Sequence, residues 1–206
     1  MLYKNFIKRF IDLFLSIIGC IAISPVFILI YIILLISYKN SPFFYQIRAG
    51  KNGKKFKIFK FKSMNDLKDS EGNLLSDVER ITKIGNIIRK TSLDEIPQLI
   101  NVIKGEMSLV GPRPLYVKYL PYYTKEESIR HTVKPGITGL AQVSGRNTLE
   151  WDARLQKDVE YVKNLSFLLD IKIVFKTIQK VFLAKDIALE MDSGIFDLDM
   201  HRKNKI

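Results

Sequence analysis

The sequence predicts an α+β protein that is mainly helical, with an apolar N-terminal membrane helix, amphipathic surface helices and a small β-hairpin. Three observations lead to this prediction. A run of 26 residues, 13–38, contains no charged side chain. Two strand-like segments flank a turn at residues 51–54, and apolar residues then repeat at helical spacing. We expect a membrane segment at 1–40, a folded domain at 41–190 and a loosely held tail at 191–206.

The charge of the chain indicates an anionic partner. Its 206 residues, enough for one domain, include 33 lysines and arginines against 21 acids, a formal net charge of +12. Such a balance suits nucleic acid, acidic lipid head groups or phosphorylated substrates. The single cysteine, Cys20, lies in the apolar run and excludes a disulfide within the chain. We therefore expect the folded domain to lie in a reducing compartment.

The uncharged segment 13–38 is long enough for a membrane, but its pattern argues against a simple crossing. As one helix it would be about 39 Å long, against a hydrocarbon core of about 30 Å. Pro25 removes a backbone donor at its centre, and the Ser24 hydroxyl can bond to the carbonyl left free. Both flanks are basic, and the positive-inside rule holds them in the cytoplasm. We predict a re-entrant helix–break–helix; the alternative is an ordinary kinked transmembrane helix.

Residues 43–62 have the pattern of a β-hairpin. The runs FFYQI and KFKIFKF are strand-like, and the turn between them contains Asn52-Gly53. The alternation of apolar residues slips once in the second run, and a bulge near Ile58-Phe59 would explain the slip. The polar residues 65–77 that follow predict a loop.

Helical periodicity dominates the rest of the chain. Apolar residues at 78–88 form one helical face, and Thr124 with Glu127 forms a capping-box pattern that begins a short helix. Between residues 171 and 182, apolar and basic side chains take opposite sides of a helix. That helix can lie on a membrane surface, and its spacing fits a helix packed on the core equally well.

The segment 89–114 contains the residues that suggest chemistry. Ser92 is placed as a helix N-cap with Glu95 three residues later. Asp94 would then lie at a helix N-terminus, where the partial positive charge favours an ionised carboxylate. One carboxylate could attack phosphorus while the other holds a divalent cation that neutralises a diphosphate. The alternative is that the two acids only complement the helix dipole.

Stiff loops hold further basic residues. Arg113 lies between two prolines in Gly111-Pro112-Arg113-Pro114, and a rigidly held arginine is suited to bidentate phosphate binding. Residues 135–139 form a second stiff turn, and Gly145-Arg146-Asn147 follows. Each motif alone is a weak signal, because proline and glycine mark any tight loop.

Together these motifs resemble the bacterial sugar transferases, the monotopic phosphoglycosyl transferases that start glycan assembly on a lipid carrier. The resemblance covers about residues 3–183, and the length is similar to that of the short members, including the Campylobacter-type enzymes of protein glycosylation. The matching positions are 8–12, Ser24-Pro25, 59–64, Arg89, 92–99, Asn101-Val102, 104–114, 134–143, 145–147, Asp158 and Tyr161.

The resemblance implies a ping-pong mechanism. Asp94 would attack the sugar-linked phosphate of a UDP-sugar, release UMP and form a phosphosugar–aspartyl intermediate, which polyprenyl (undecaprenyl) phosphate would attack next. Glu95, with Asp94, would hold Mg²⁺. The family's re-entrant segment would place the catalytic domain at the cytoplasmic face of the bacterial inner membrane, among membrane lipids. The implied substrate-binding residues are Lys62, Arg89, Arg113, Arg146 and Asp158, with a structural polar role as the alternative for Asp158.

One position departs from the family, and two other functions compete. Lys62 stands where many members have arginine, and an ammonium lacks the bidentate fork of a guanidinium. The first competing function is a glycosyltransferase that forms a sugar–sugar bond and releases UDP. The second is a non-enzymatic basic module on a membrane surface or nucleic acid. We do not expect nucleic acid as a partner, because the basic residues cluster after the apolar segment and the chain has no recognisable nucleic-acid-binding pattern.

Overall fold

A computed structural model describes residues 2–38, 40–145, 149–183 and 197–203. Its first element is a π-helical turn, Tyr3–Ile7, which continues into helix α1, Lys8–Tyr38. Among the described residues, α1 is the one helix long and apolar enough to cross a membrane, with a mean hydropathy of 2.8 in its most apolar stretch. The long apolar N-terminal helix is therefore confirmed.

Helix α1 continues through Pro25. The predicted helix–break–helix is therefore corrected to one helix with a proline inside it. Pro25 has no N–H to donate to the carbonyl of Ile21, four residues earlier. The Ser24 hydroxyl donates to that carbonyl at 2.8 Å, as expected from the Ser-Pro pair. This bond compensates for the missing backbone donor and allows the helix to continue.

Both ends of α1 attach to the same domain. Near its start, the Arg9 guanidinium donates to the carbonyls of Val102 and Ile103 at 2.6 and 2.9 Å. At its last residue, the hydroxyls of Tyr38 and Thr82 share a hydrogen bond of 2.8 Å. The domain thus holds α1 at its beginning and at its end.

The β-hairpin is confirmed, and the bulge predicted within it is wrong. Strands β1, Phe43–Ala49, and β2, Lys55–Phe61, pair antiparallel in an uninterrupted register. A 3₁₀ turn, Lys51–Gly53, joins them, and its Asn52 has the positive φ of 55° that asparagine tolerates.

Both faces of β2 are covered, which explains the slip in its apolar pattern. Ile58 on one face packs with Val102 and Met107. Phe61 on the other face packs with Leu34 of α1 and with Ile88. A strand that is buried on both sides carries apolar residues on both sides without any irregularity in its backbone.

The predicted polar loop is confirmed, and two short helices follow it. They are α2, Asp77–Arg80, and α3, Lys83–Lys90. The predicted single apolar face is wrong, because the Thr82 side chain caps α3 and ends the continuity. Val78 and Ile87 are consequently exposed, at 67% and 61%.

A parallel strand pair forms the centre of the domain. Helix α4, Gln98–Lys104, leads to strand β3, Ser108–Val110, which pairs in parallel with β4, Gly136–Thr138. The two backbone segments approach closely just beyond β3. A Cβ on Gly136 would lie 2.1 Å from the backbone nitrogen of Gly111, so glycine is required there.

Two 3₁₀ helices, Val117–Tyr122 and Glu127–Thr132, lie between β3 and β4. The predicted capping box begins the second one. The Thr124 N–H donates to the Glu127 carboxylate at 2.8 Å, and the Glu127 N–H donates to the Thr124 hydroxyl at 3.2 Å.

Three helices complete the main body: α5, Leu140–Ser144, α6, Trp151–Lys163, and α7, Phe167–Leu183. Ile173 of α7 is buried in the core, whereas Phe175 is 64% exposed. Of the two roles predicted for α7, the exposed apolar side favours a helix on a membrane surface.

The tail predicted to be loosely held is packed at its described residues. Helix α8, Leu198–Lys203, places Leu198 against Tyr119 and Trp151, where it is fully buried. The Tyr119 hydroxyl also donates to the Asp197 carboxylate at 2.7 Å. The prediction is therefore wrong here; the rest of the tail lies outside the described residues.

Candidate active site

The Asp94-Glu95 pair lies in a 3₁₀ turn, Leu93–Glu95, between α3 and α4. Ser92 before it has a left-handed backbone, with φ 57°, and its side chain forms no cap. An N-cap residue has an extended backbone, so the capping predicted for Ser92 is wrong. Helix α4 begins only after Pro97. The turn brings both carboxylates against strand β2.

Two cations contact this carboxylate pair. The Nζ atom of Lys60 in β2 lies 2.7 Å from Glu95 Oε1 and 3.6 Å from Asp94 Oδ2. The Nη1 atom of Arg113 lies 3.2 Å from the same Glu95 oxygen. The Arg113 side chain is 35% exposed, against 13% for Asp94 and 15% for Glu95. The carboxylates therefore form the floor of the site, and Arg113 lies at its opening.

Lys60 is absent from the site residues predicted from the sequence. In a regular strand, residues 56, 58 and 60 share one face, and the Ile58 face of β2 is the one that meets α4. The assumed bulge near Ile58-Phe59 would have broken this relation. Strict alternation along β2 would have placed Lys60 on the same face as Ile58, but its contact with Asp94 and Glu95 depends on the tertiary structure.

Burial and charge make the two carboxylates different. Burial raises the pKa of Asp94 to about 6; the charges of Lys60 and Arg113 only partly oppose it, and that of Glu95 adds to it. Burial also acts on Glu95, but Lys60 and Arg113 outweigh it and lower the pKa of this carboxyl to about 2. The expectation that a helix N-terminus would favour ionised Asp94 is wrong, since the 3₁₀ turn precedes α4 and desolvation dominates.

Arg89 of α3 is a third cation at the site. Its Nε atom donates to the Ser63 hydroxyl at 2.7 Å. The helix can come this close only because of Gly85, where a Cβ would lie 1.8 Å from the Ser63 carbonyl oxygen. Burial dominates the pKa of Asp94, and the charge of Arg89 is among those that oppose it. The structure thus brings the predicted residue Arg89 to the carboxylate pair.

The other predicted basic residues have different positions. Lys62, just beyond β2, forms an ion pair with Asp66, and its Nζ atom lies 5.9 Å from the ring centre of Tyr38. The contacts of Lys62 are therefore with the loop after β2 and with the end of α1. Arg146 lies outside the described residues.

Hydrogen bonds fix the segment 111–114 on both sides. The Pro112 carbonyl accepts from the backbone N–H of Gly136 at 3.0 Å. The Arg113 carbonyl accepts from Nη2 of Arg130 at 2.7 Å. The stiff backbone expected around Arg113 is therefore reinforced by these contacts.

Asp158, predicted to bind substrate, lies in the core. Its Oδ2 atom accepts from Nε and Nη2 of Arg130 at 3.0 and 2.9 Å. The Arg130 and Asp158 side chains are only 2% and 3% exposed. The substrate-binding role is corrected, because a carboxylate enclosed in this way cannot touch a substrate, and the alternative of a structural polar residue fits this position. Its connection to the site runs through Arg130 to the Arg113 carbonyl.

The two site carboxylates are suited to a divalent cation shared with a substrate. Mg²⁺ commonly takes one or two carboxylates, keeps several waters and completes its shell with phosphate oxygens. No group of three or more metal-binding side chains occurs within the described residues. Lys60 and Arg113 both pair with Oε1 of Glu95, so neither of these ion pairs uses Oε2. Asp94 and Glu95 therefore fit Mg²⁺ as part of such a mixed shell.

An apolar cavity of about 220 Å³ lies beside the carboxylates. Helix α1, the 3₁₀ turn, β4, α5 and α7 all contribute to its wall. Its lining includes Ile23, Glu95, Leu99, Ile137, Val143 and Lys180. The cavity thus extends from Glu95 to α1 next to the Ser24-Pro25 position.

Known proteins resemble this chain over most of its length. The sequence profile of the bacterial sugar transferase family matches residues 3–184. The uncharacterized sugar transferase EpsL of Bacillus subtilis is 47% identical over 181 residues, which cover 88% of this chain and 90% of that protein.

Two longer relatives have names that describe a reaction. The UDP-glucose:undecaprenyl-phosphate glucose-1-phosphate transferase of Klebsiella pneumoniae is 39% identical over 188 residues, 86% of this chain and 40% of that protein. The undecaprenyl-phosphate galactose phosphotransferase of Salmonella typhimurium is 42% identical over 201 residues, 89% of this chain and 42% of that protein. The chain spans only about two fifths of each. From the matched range and these identities, the chain belongs to the bacterial sugar transferase family.

Proposed function

We propose that this chain transfers a phosphosugar from a UDP-sugar to polyprenyl phosphate and releases UMP, through a covalent intermediate on Asp94. The observation that supports this most is the Asp94-Glu95 pair, set among three cations and beside an apolar cavity that reaches α1. The excess of positive charge suits a diphosphate, and the cavity suits a lipid. Relatives named for transfer of a sugar phosphate to undecaprenyl phosphate point the same way.

The difference between the two carboxylates selects the nucleophile. Glu95 is in contact with Lys60 and Arg113, and its low pKa makes it a weak base. Burial raises the pKa of Asp94 to about 6. At neutral pH such a carboxylate is still mostly ionised, yet more basic than its neighbour. Asp94 is therefore the better nucleophile of the two.

The reaction has two displacements at one phosphorus atom. In the first, a carboxylate oxygen of Asp94 attacks the sugar-linked phosphorus. The bond from phosphorus to the bridging oxygen breaks, and UMP leaves with that oxygen and its electron pair. In the second, an oxygen of polyprenyl phosphate attacks the same phosphorus. The bond to Asp94 then breaks, which regenerates the carboxylate and gives polyprenyl-diphosphate-sugar.

The basic residues stabilise the charge that moves during these steps. Lys60 lies between the two carboxylates. Its positive charge can stabilise the negative charge first on Asp94 and then on the phosphoryl group. Arg113 at the opening offers a planar guanidinium for the phosphate oxygens of the nucleotide. Arg89 opposes the negative charge from the side of α3. Lys62 would bind a phosphate only after its ion pair with Asp66 breaks.

Asp94 and Glu95 would hold Mg²⁺ together with the diphosphate. When bound, the cation would neutralise the phosphate oxygens and improve UMP as a leaving group. Glu95 is the more permanent of the two ligands, because Lys60 and Arg113 keep it ionised.

The acceptor enters from the membrane in this proposal. Contacts at both ends of α1 with one domain fit an embedded helix whose two ends stay at one face of the bilayer. Basic residues flank that segment, which favours the cytoplasmic face of the inner membrane. The exposed apolar side of α7 would lie on the lipid surface. Polyprenyl phosphate could then place its first isoprene units in the cavity and its phosphate near Asp94.

The proposal is tested by following the nucleotide product. Purified chain in lipid nanodiscs is incubated with polyprenyl phosphate, Mg²⁺ and a panel of UDP-sugars. We expect UMP to accumulate in step with polyprenyl-diphosphate-sugar. Accumulation of UDP would instead indicate a glycosyltransferase that moves the sugar alone. No turnover with any donor, together with salt-dependent retention on nucleic acid or lipid, would indicate a non-enzymatic module.

The covalent step needs its own measurement. With a UDP-sugar labelled in the sugar-linked phosphate and no acceptor present, we expect label on the protein and one equivalent of UMP. Mass spectrometry should locate the label at Asp94. Normal turnover without any labelled protein would contradict the covalent intermediate and leave direct transfer between the two substrates.

A further inference from the structure

The core of this domain contains an ion pair whose cost requires an explanation. The side chains of Arg130 and Asp158 are 2% and 3% exposed. Removing two charges from water is costly, and replacing such a pair with apolar residues is often neutral or stabilising. Packing alone therefore does not account for Arg130 in this place, and its remaining hydrogen bonds indicate a second role.

Arg130 connects the core to the candidate active site. Its Nη2 atom, which donates to Asp158 at 2.9 Å, also donates to the Arg113 carbonyl at 2.7 Å. Its Nη1 atom lies 3.4 Å from the Tyr123 hydroxyl. The two bonds to Asp158 fix the plane of the guanidinium, and that plane fixes the direction of the bond to Arg113.

The Arg113 carbonyl lies in a backbone segment whose rotation is restricted. Prolines on both sides restrict rotation there, and the Pro112 carbonyl is already held by Gly136. The bond from Arg130 then settles the orientation of the peptide that follows Arg113. From this backbone the Arg113 side chain reaches Glu95 at 3.2 Å. A small rotation would move its guanidinium away from the carboxylate and from a bound phosphate.

We propose that Arg130, oriented by Asp158, is a positioning residue that holds Arg113 in place for the phosphate groups of the nucleotide donor. What Arg113 binds rests on the function proposed above; the link from Arg130 to the Arg113 backbone does not. Neither core residue touches substrate. They act through one peptide group, so their loss matters only as far as Arg113 matters.

A double-mutant cycle tests this dependence. The paired change Arg130→Met with Asp158→Leu removes the link without leaving a buried charge unpaired. We expect it to lower kcat/KM for UMP release by about 10- to 100-fold, as a small misplacement of a phosphate-binding group does. When Arg113 is already changed to Met, the same pair should cost less than about two-fold, because no guanidinium is left to position.

A matched control separates positioning from general loss of packing. Ile173→Ala removes a fully buried side chain of α7 from a core cluster that contains no residue of 111–116. It should lower stability at least as much as the paired change, without the same loss of kcat/KM. Equal losses of kcat/KM with and without Arg113, or wild-type kcat/KM in the paired variant, would overturn the proposal.

A measurement independent of turnover keeps this proposal separate from the proposed function. Amide hydrogen exchange of the peptide containing residues 111–116 should rise in the paired variant and stay unchanged in Ile173→Ala. If exchange rises while wild-type protein releases no UMP, the positioning link stands and the proposed function fails. If wild-type protein releases UMP and exchange is unchanged in the paired variant, the positioning proposal fails and the function stands.

Discussion

Two of the clusters that pair acidic with basic side chains differ in their chemistry, the one at the Asp94-Glu95 turn and the Arg130-Asp158 pair in the core. In the core, one carboxylate and one guanidinium balance each other, and both side chains are at most 3% exposed. At the turn, Lys60 and Arg113 share one oxygen of Glu95, and Arg113 is 35% exposed. Residue types are nearly the same in both. The two clusters differ in the ratio of positive to negative charges and in access from solvent. These differences distinguish a cluster that can bind an anion from one that stabilises the fold.

The largest effect expected from this comparison is at Asp94. Asp94→Asn keeps the shape of the side chain but removes the nucleophile, so UMP release should fall by about 10³-fold or more, and no labelled protein should form. Asp77→Asn, on an acid with a side chain 58% exposed, serves as the matched control and should keep wild-type activity. Full activity in Asp94→Asn would reject its role as nucleophile.

Removing only the acid of the core pair should cause a large loss of stability in addition to the loss of positioning at Arg113. Asp158→Leu leaves Arg130 buried without a counter-charge, and we expect a loss of about 3–5 kcal/mol in the free energy of unfolding. Denaturant titration in detergent measures it. Adding Arg130→Met should restore most of the loss. The control is Glu160→Leu on the same helix, an acid with a side chain 45% exposed, expected within about 0.5 kcal/mol of wild type.

Removal of Lys60 should weaken the site without affecting the core pair. Lys60→Met takes away the cation nearest both carboxylates, and we expect about a 100-fold lower kcat for UMP release. Lys57→Met is the matched control, because Lys57 lies on the opposite face of β2, over the Tyr45 ring at 5.4 Å. Similar losses in both variants would mean that the hairpin as a whole, rather than the Lys60 charge, supports turnover.

The smallest effect is a pH-dependent difference in stability. Burial raises the pKa of Asp94 from 3.8 to about 6 in the folded chain. Its contribution to stability is therefore fully present below about pH 4 and is lost as pH rises through about 6. In metal-free buffer, the unfolding midpoint of Asp94→Asn should therefore rise relative to that of wild type over that window. The difference should reach about 4 °C at pH 7.5. An equal difference at pH 3.5 and 7.5 would contradict the raised pKa.

Local features of the molecule could be predicted from the sequence because they depend on neighbours in the chain. The uncharged run predicted a helix, and the Ser-Pro pair predicted the bond from Ser24 to Ile21. The turn at Asn52-Gly53 predicted the hairpin. The capping pair Thr124 and Glu127 also formed as expected. The adjacent acids and the stiff loop around Arg113 were recognisable as motifs for the same reason.

Partners distant in the chain were decided only by the tertiary structure. Lys60 meets Glu95, 35 positions later, because β2 is covered on both faces and lies against the 3₁₀ turn. Asp158 is enclosed by Arg130, 28 positions earlier, which no local spacing indicates. Burial then raised the pKa of Asp94, whereas the charges of Lys60 and Arg113 outweighed burial at Glu95 and lowered its pKa. The sequence by itself determined which residues can do chemistry; desolvation and long-range contacts, which exist only in the folded chain, decided which of them do.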